Sequence, residues 1–207
     1  MYEYFEIAYA LAADSLCLFL GTGFSKHITD GKAPSWIELL QACCDELDDP
    51  DSMKGVLFPG GKNDIPLEEC AQIIELELKK QGKKLRFIIA DIIGNLKIDD
   101  DKSETLKEFF EEHNNIKIIT TNYDTLIEKF IVPGKCNSYC PGKPIPKRKK
   151  GIDVYHIHGS IDSPNEMIVT AGDYYDFMNT SSYFRNKIYS LIPVSYTHLT
   201  LPTNREV

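Results

Sequence analysis

Short unbroken apolar runs alternate along this chain with stretches whose apolar positions recur three and four residues apart, the pattern of strands threaded between helices. Leu16 to Leu20 and the β-branched run Ile116 to Thr121 read as strands buried on both faces, and Asp153 to Ile157 and Met167 to Thr170 as two more. Residues 2 to 13 read as a helix with Tyr4, Ile7, Ala8 and Leu11 on one face. Pro34-Ser35-Trp36 opens another, with Ser35 and Glu38 at capping-box spacing. Its stripe of Trp36, Leu39, Leu40, Cys43 and Leu47 is expected to be core rather than ligand wall, and the acidic run Asp45 to Asp51 a solvated end and loop. A turn-rich break at Pro59 to Pro66 precedes helical patterns at Leu67 to Lys80 and Lys84 to Leu96, separated by Gly82. Ser103 is expected to cap a helix running to His113, with Leu106, Phe109 and Phe110 facing inward. Shorter helices are predicted at Thr125 to Ile131, Gly172 to Met178 and Ser182 to Ile192. Residues from about 30 to 100 thus form a helical insertion after the first strand. The whole is α/β with a mostly parallel sheet.

Ligands of such sheets collect where the strands end at their carboxyl side. Here the first strand ends in Gly21-Thr22-Gly23-Phe24-Ser25, the second in Thr121-Asn122-Tyr123-Asp124, and the third in His158-Gly159-Ser160. Glycine tolerates positive φ and lacks a Cβ, so backbone N–H groups beside it can point at an anion. Lys26 stands where the dinucleotide fingerprint G-x-G-x-x-G has its last glycine, which disfavours an ordinary dehydrogenase. Taken alone, Asn122 reads as the N-cap of the helix that follows it. His156 lies two residues before His158 and so points to the opposite face of an extended strand, as a packed or hydrogen-bonded partner. His27 and His113 read as surface residues.

The formal net charge of −8 argues against a general nucleic-acid binder. No apolar run approaches the roughly 18 residues of a membrane span, and the start Met-Tyr-Glu-Tyr-Phe-Glu lacks the features of a signal peptide, so a cytoplasmic protein is expected. The six cysteines fit free thiols of a reducing compartment. Cys136 and Cys140 are spaced C-x-x-x-C without a second pair downstream, so no metal centre is expected. The basic, proline-rich stretch Pro141 to Lys150 reads as a surface loop.

Together the three strand endings resemble the motifs of the sirtuin (SIR2) superfamily, and specifically its prokaryotic SIR2-like branch. Gly21-Thr22-Gly23-Phe24-Ser25 resembles the G-A-G-x-S loop, Thr121-Asn122-Tyr123-Asp124 a shortened T-Q-N-x-D, and His158-Gly159-Ser160 the H-G motif. The resemblance covers residues 1 to 192 or so and implies a Rossmann-like sheet with a smaller helical module, binding NAD+ as substrate. It implies that Gly21, Thr22, Gly23 and Ser25 contact the pyrophosphate, with Phe24, Thr121, Gly159 and Ser160 completing the binding site. It further implies that Asn122 places a nucleophile or holds the nicotinamide-side ribose, that Asp124 orders this loop and the ribose, and that His158 is the general base. Asp173-Tyr174-Tyr175 resembles a T-x-x-D-Y stretch expected to form pocket wall.

Protein deacetylases of that family carry four zinc-binding cysteines after the H-G motif; here no cysteine follows Cys140, and no acyl-lysine channel is recognisable. The resemblance therefore implies a zinc-less NAD+ glycohydrolase, an effector of bacterial anti-phage defence, ahead of a protein deacylase or ADP-ribosyltransferase and of a non-catalytic NAD or ADP-ribose sensor. Many relatives of this kind assemble, and many carry a C-terminal sensor region, so a homo-oligomer and such a partner are candidates here. Val194 to Thr203 matches one reading frame of a tagmentation sequencing adapter. A SIR2-like domain over residues 1–193 with a non-native tail at 194–207 is therefore expected. The cut would remove a strand and a loop gripping the adenosine end of NAD+, and leave an open hydrophobic sheet edge.

Overall fold

The computed structural model describes residues 2–61, 64–144, 150–191 and 196–199, the last of these as backbone. A five-stranded sheet in the order β3-β4-β2-β1-β5 lies at its centre, with every neighbouring pair parallel. The strands are β1 (Leu16–Leu20), β2 (Lys117–Thr120), β3 (Cys136–Tyr139), β4 (Ile152–His156) and β5 (Tyr196–Leu199). The chain is α/β, as its alternation of elements predicts, and Rossmann-like, as the resemblance implies.

The two faces of the sheet follow the two-residue period of its strands. On one face Leu16, Leu20, Ile118, Ile152 and Val154 form a cluster with Ala10 of α1 (Tyr2–Ala12) and Phe110 of α7 (Asp100–Glu112). On the other, Cys17, Ile119, Tyr139 and Tyr155 pack against Phe184, Ile188 and Leu191. Those three recur at helical spacing on α9 (Tyr183–Leu191). Burying each such side chain contributes about 1.5–3 kcal/mol.

A separate core belongs to the helical insertion, built from α3 (Trp36–Cys44), α4 (Pro50–Leu57), α5 (Leu67–Lys80) and α6 (Leu85–Gly94). Ser35 and Glu38 form the expected reciprocal capping box at the start of α3. Tyr123, Met167 and Val169 from the sheet domain enter this second core, so the insertion is fastened to the strand ends rather than hanging from them.

The structure corrects several sequence expectations. Met167 to Thr170 is buried but not a strand. Its backbone groups find side chains instead of a ladder: Arg86 Nε donates to Met167 O at 3.1 Å, Tyr123 Oη to Ile168 O at 2.6 Å, and Asp173 Oδ2 accepts from Val169 N and Thr170 N at 3.0 and 2.9 Å. The sheet instead takes an unpredicted strand at its edge, β3, whose Asn137 and Tyr139 turn inward to hydrogen-bond buried Asp153 at 2.9 and 3.3 Å. Helix α7 is capped by Asp99, which accepts from Lys102 N at 3.1 Å, while Ser103 is buried inside the helix. The acidic run ends in a helix, since Asp49 caps α4 and Pro50 occupies its first turn. The segment from 125 to 131 forms a π-type turn, Ile127–Ile131. Finally, the edge of β1 is paired: Leu16, Cys17, Leu18 and Phe19 lie in register with Tyr196 to Leu199 of β5. Residues 145–149 of the basic stretch, and 192–195 and 200–207 at the end, lie outside the described residues.

Candidate functional site

Strand β2 is the centre of the site because β1 and β4 flank it in parallel, which brings three strand ends to one edge. Two backbone bonds hold the ends level, Thr121 N to Leu20 O at 3.2 Å and Ile157 N to Thr120 O at 3.0 Å. Beyond them the three segments diverge, and a crevice opens.

The first segment becomes helix at once: Gly21 is the N-cap of α2 (Thr22–Ile28). Gly21 has φ −126° and ψ −169°, extended backbone open to any residue, so the expected need for positive φ does not apply there. A Cβ at Gly21 would meet Thr121 Oγ1 at 3.7 Å, an ordinary contact. Ser25, one turn into α2 and 2% exposed, is the pivot of the site. Its hydroxyl accepts from Asn122 Nδ2 at 2.8 Å and donates to Asp124 Oδ2 at 2.7 Å. Asp124 Oδ1 accepts from Leu126 N at 3.2 Å, which fixes the carboxyl plane. Burial pushes the Asp124 carboxyl above its ordinary range, and the bonds from Ser25 and Leu126 only partly oppose this. Asn122 caps no helix; its backbone N–H donates to Thr120 Oγ1 at 3.0 Å, which leaves the amide turned toward Ser25.

His158 follows β4 by two residues. Burial lowers its pKa, a hydrogen bond to the Thr121 backbone notwithstanding, so the ring is a neutral imidazole at working pH. Tyr174, on α8 (Ala171–Asn179), meets it edge-on at 5.2 Å between ring centres, its hydroxyl 3.4 Å from Nδ1. His156 takes the opposite direction. It is 1% exposed, with Nδ1 3.1 Å from Asn122 O and Nε2 2.6 Å from Glu128 Oε1.

A cavity of about 270 Å³ joins these groups. Thr22, Ser25, Thr121, Asn122, Asp124 and His158 make its polar wall, and Trp36, Leu39, Ile93, Leu96, Tyr123 and Tyr174 the largely apolar one. Trp36 and Leu39 therefore serve both the insertion's core and the cavity, contrary to the expectation that they are core alone. Tyr174 is cavity wall, whereas Tyr175 beside it is exposed and Asp173 is turned to Arg86, whose Nη2 lies 2.6 and 2.5 Å from the two carboxylate oxygens.

Other residues expected at the site fall outside the cavity lining. Phe24 is partly buried and packs against the sheet cluster that contains Leu16 and Ile118. Ser160 is buried, and its hydroxyl accepts from Asp162 N at 3.3 Å. Gly159 shapes the turn: it has φ +84°, and a Cβ there would sit 2.9 Å from Glu166 O and Met167 Cα. Gly21 and Gly23 stand at the start of α2, where the first N–H groups of a helix have no partner within it. Sequence reasoning missed Glu128, which carries no motif, and Arg86, whose partners Glu75, Met167 and Asp173 are scattered along the chain.

Residues 116–201 match the family model of the SIR2-like domain. That stretch of the chain is similar to the SIR2-like domain. The match begins at β2 and takes in Asn122, Asp124 and His158; the Gly21–Ser25 segment, which lies before it, is joined to them by the fold. SIR2-like domains use NAD+ as substrate, so the chemistry of this family is NAD-dependent. No curated protein matches the chain. Among the described residues, no group of three or more His, Cys, Asp and Glu side chains is placed to hold a metal ion, and no helix is long and apolar enough to cross a membrane.

Proposed function

We propose that this chain is a SIR2-like NAD+ glycohydrolase, cleaving the nicotinamide–ribose bond with water to give nicotinamide, ADP-ribose and a proton. The observation that carries this reading is that Asn122, Asp124 and His158 face one cavity in which Ser25 bonds both Asn122 and Asp124. The residues fit such a substrate: an amide, a carboxyl, hydroxyls and an imidazole on one wall suit a ribose, and Trp36, Tyr123 and Tyr174 on the other suit a flat pyridine ring. Thr22 and the first turn of α2 would hold the pyrophosphate.

In the reaction the C–N bond breaks with its electron pair leaving on nicotinamide, and positive charge develops on the ribose. The carbonyl dipole of the Asn122 side-chain amide and the Asp124 carboxyl would stabilise that charge and hold the ring. His158 would take the proton of the attacking water or of a ribose hydroxyl, for which its lowered pKa keeps it in the basic form. The apolar wall would limit where water can enter.

Incubation with NAD+ should release nicotinamide, and both Asn122→Ala and His158→Ala should lower the rate by roughly 10²–10⁴. Full activity in both variants would remove the catalytic assignment; turnover that appears only with an acylated peptide would favour a deacylase. We further propose a cytoplasmic role in anti-phage defence, read out as a fall in cellular NAD+ on infection, and assembly into a homo-oligomer, read out by light scattering. The adapter reading of residues 194–207 stands as a proposal against two observations: the family match runs to residue 201, and Tyr196–Leu199 pair with β1. The sequence of the genomic locus decides it.

A further inference from the structure

Among the groups the proposed chemistry does not use, His156 is 1% exposed and is paired with the largely enclosed Glu128. His156 is the last residue of β4 and shares a face with Ile152 and Val154, deep in the sheet core. Both of its ring nitrogens face acceptors, the Asn122 carbonyl oxygen at 3.1 Å and the Glu128 carboxylate at 2.6 Å. A neutral imidazole carries one N–H and can satisfy only one of the two; the imidazolium satisfies both. Glu128 reaches the ring from the π-type turn Ile127–Ile131, an irregularity that re-aims a side chain and recurs at functional sites.

We propose that His156 and Glu128 are a positioning pair for the NAD+ cleavage, gripping the Asn122 backbone carbonyl so that its side-chain amide stays on Ser25 and faces the cavity. The inference rests on the glycohydrolase reading for its reaction, though not for its geometry. Asn122 is held at three points: its N–H by Thr120 Oγ1, its amide by Ser25 and its carbonyl by His156. The first two bonds leave the peptide plane that follows Asn122 free to turn, and the third fixes it. A neutral ring that kept its proton on the Glu128 side would set a lone pair against the carbonyl and release that plane.

The surrounding charges agree with the geometry. Burial opposes charge on His156, but the hydrogen bond and charge of Glu128, the Asn122 carbonyl and the charge of Asp124 outweigh it and raise its pKa. Burial likewise works against the Glu128 carboxylate, and His156 with Ser138 overcomes it and lowers its pKa. Two thiols also face Glu128: Cys136 on β3 is pushed up to about 11 by burial and by Glu128, and Cys140 just beyond β3 is raised chiefly by burial, so both stay neutral. His156 is thus the group in this cluster whose charge is lost as pH rises, and with it the grip on Asn122.

The test pairs kinetics with NMR on the full chain. Glu128→Gln keeps the shape of the side chain and removes its charge. It is expected to lower kcat for nicotinamide release roughly ten- to a hundredfold with KM within about twofold, and to move the falling, high-pH limb of the pH profile downward. A variant with wild-type kcat and pH profile overturns the proposal. The wild type supplies a measurement that needs no variant: the side-chain amide signal of Asn122 must shift with pH in step with the ¹⁵N signals of the His156 ring. An Asn122 signal that ignores that titration overturns the positioning claim, even if Glu128→Gln fails to fold. Should the wild type release no nicotinamide, the reaction reading falls, while the coupled titration of His156 and Asn122 still decides the positioning claim.

Discussion

Replacing Ser25 with alanine deletes the hydroxyl that joins Asn122 to Asp124 and leaves two polar groups to find other partners. Each group orphaned in a buried setting costs about 1–3 kcal/mol, so the pair sets an upper range of about 2–6 kcal/mol. Two effects reduce it. Alanine is the better helix former inside α2, by about 0.5 kcal/mol, and both orphaned groups line the cavity, where water can reach them. The bond from Thr29 Oγ1 to Ser25 O survives, since it uses the backbone. A net loss of about 2 kcal/mol follows, which for a chain of this size lowers Tm by roughly 4–8 °C. The effect on turnover should be larger. Without the pivot the Asn122 amide has no fixed direction, and a displacement of about 1 Å can cost 10²-fold. Differential scanning fluorimetry and nicotinamide release measure the two effects separately. A Ser25→Ala protein with unchanged Tm and unchanged kcat would show that the hydroxyl is not a pivot, and the site's description would be wrong.

Three further perturbations follow from the same geometry. Arg86→Met removes bonds to Glu75, Asp173 and the Met167 carbonyl at once, and leaves the buried carboxylate of Glu75 with Lys79 at 3.5 Å as its remaining ion-pair partner; a loss of about 3 kcal/mol is expected in urea titration. Gly159→Ala forces a side chain into a positive-φ turn against fixed backbone; it should cost about 1–3 kcal/mol in strain alone and slow nicotinamide release by displacing His158. The pH profile of nicotinamide release should rise with pH through a midpoint below about 6.5, the ordinary histidine value, because burial of His158 favours its neutral, basic form; a midpoint above that value would exclude His158 as the base.

Much of the fold is written in local patterns. Leu16–Leu20 and Leu67–Lys80 form the elements their periodicity predicts, residue for residue. The failures occur where tertiary partners override local preference. Met167-Ile168-Val169 has strand composition, but Arg86, Tyr123 and Asp173 claim its backbone. Cys136-Asn137-Ser138-Tyr139 has poor strand composition, yet it pairs with β4 because Asp153 offers Asn137 and Tyr139 a buried acceptor. The polar half of the cavity was legible because Thr22, Ser25, Asn122, Asp124 and His158 sit in compact motifs at strand ends. Its apolar half was not, because Ile93 and Leu96 look like any core residues until α6 is seen to fold over the crevice.

The pairing of β1 also has a kinetic side. Cys17 lies beside Lys117, and Leu16 beside Tyr196, so the first strand made by the chain waits for partners made much later. Parallel pairings across such distances close long loops before any contact repays them, and they slow folding. Until β2 arrives, Leu16 to Leu20 is an apolar segment with no sheet to enter, while the insertion can already assemble its own core. Ser25 cannot meet Asn122 and Asp124 before β1 and β2 are paired. Ligand affinity should therefore appear late and all at once during refolding, after most of the helical signal has formed.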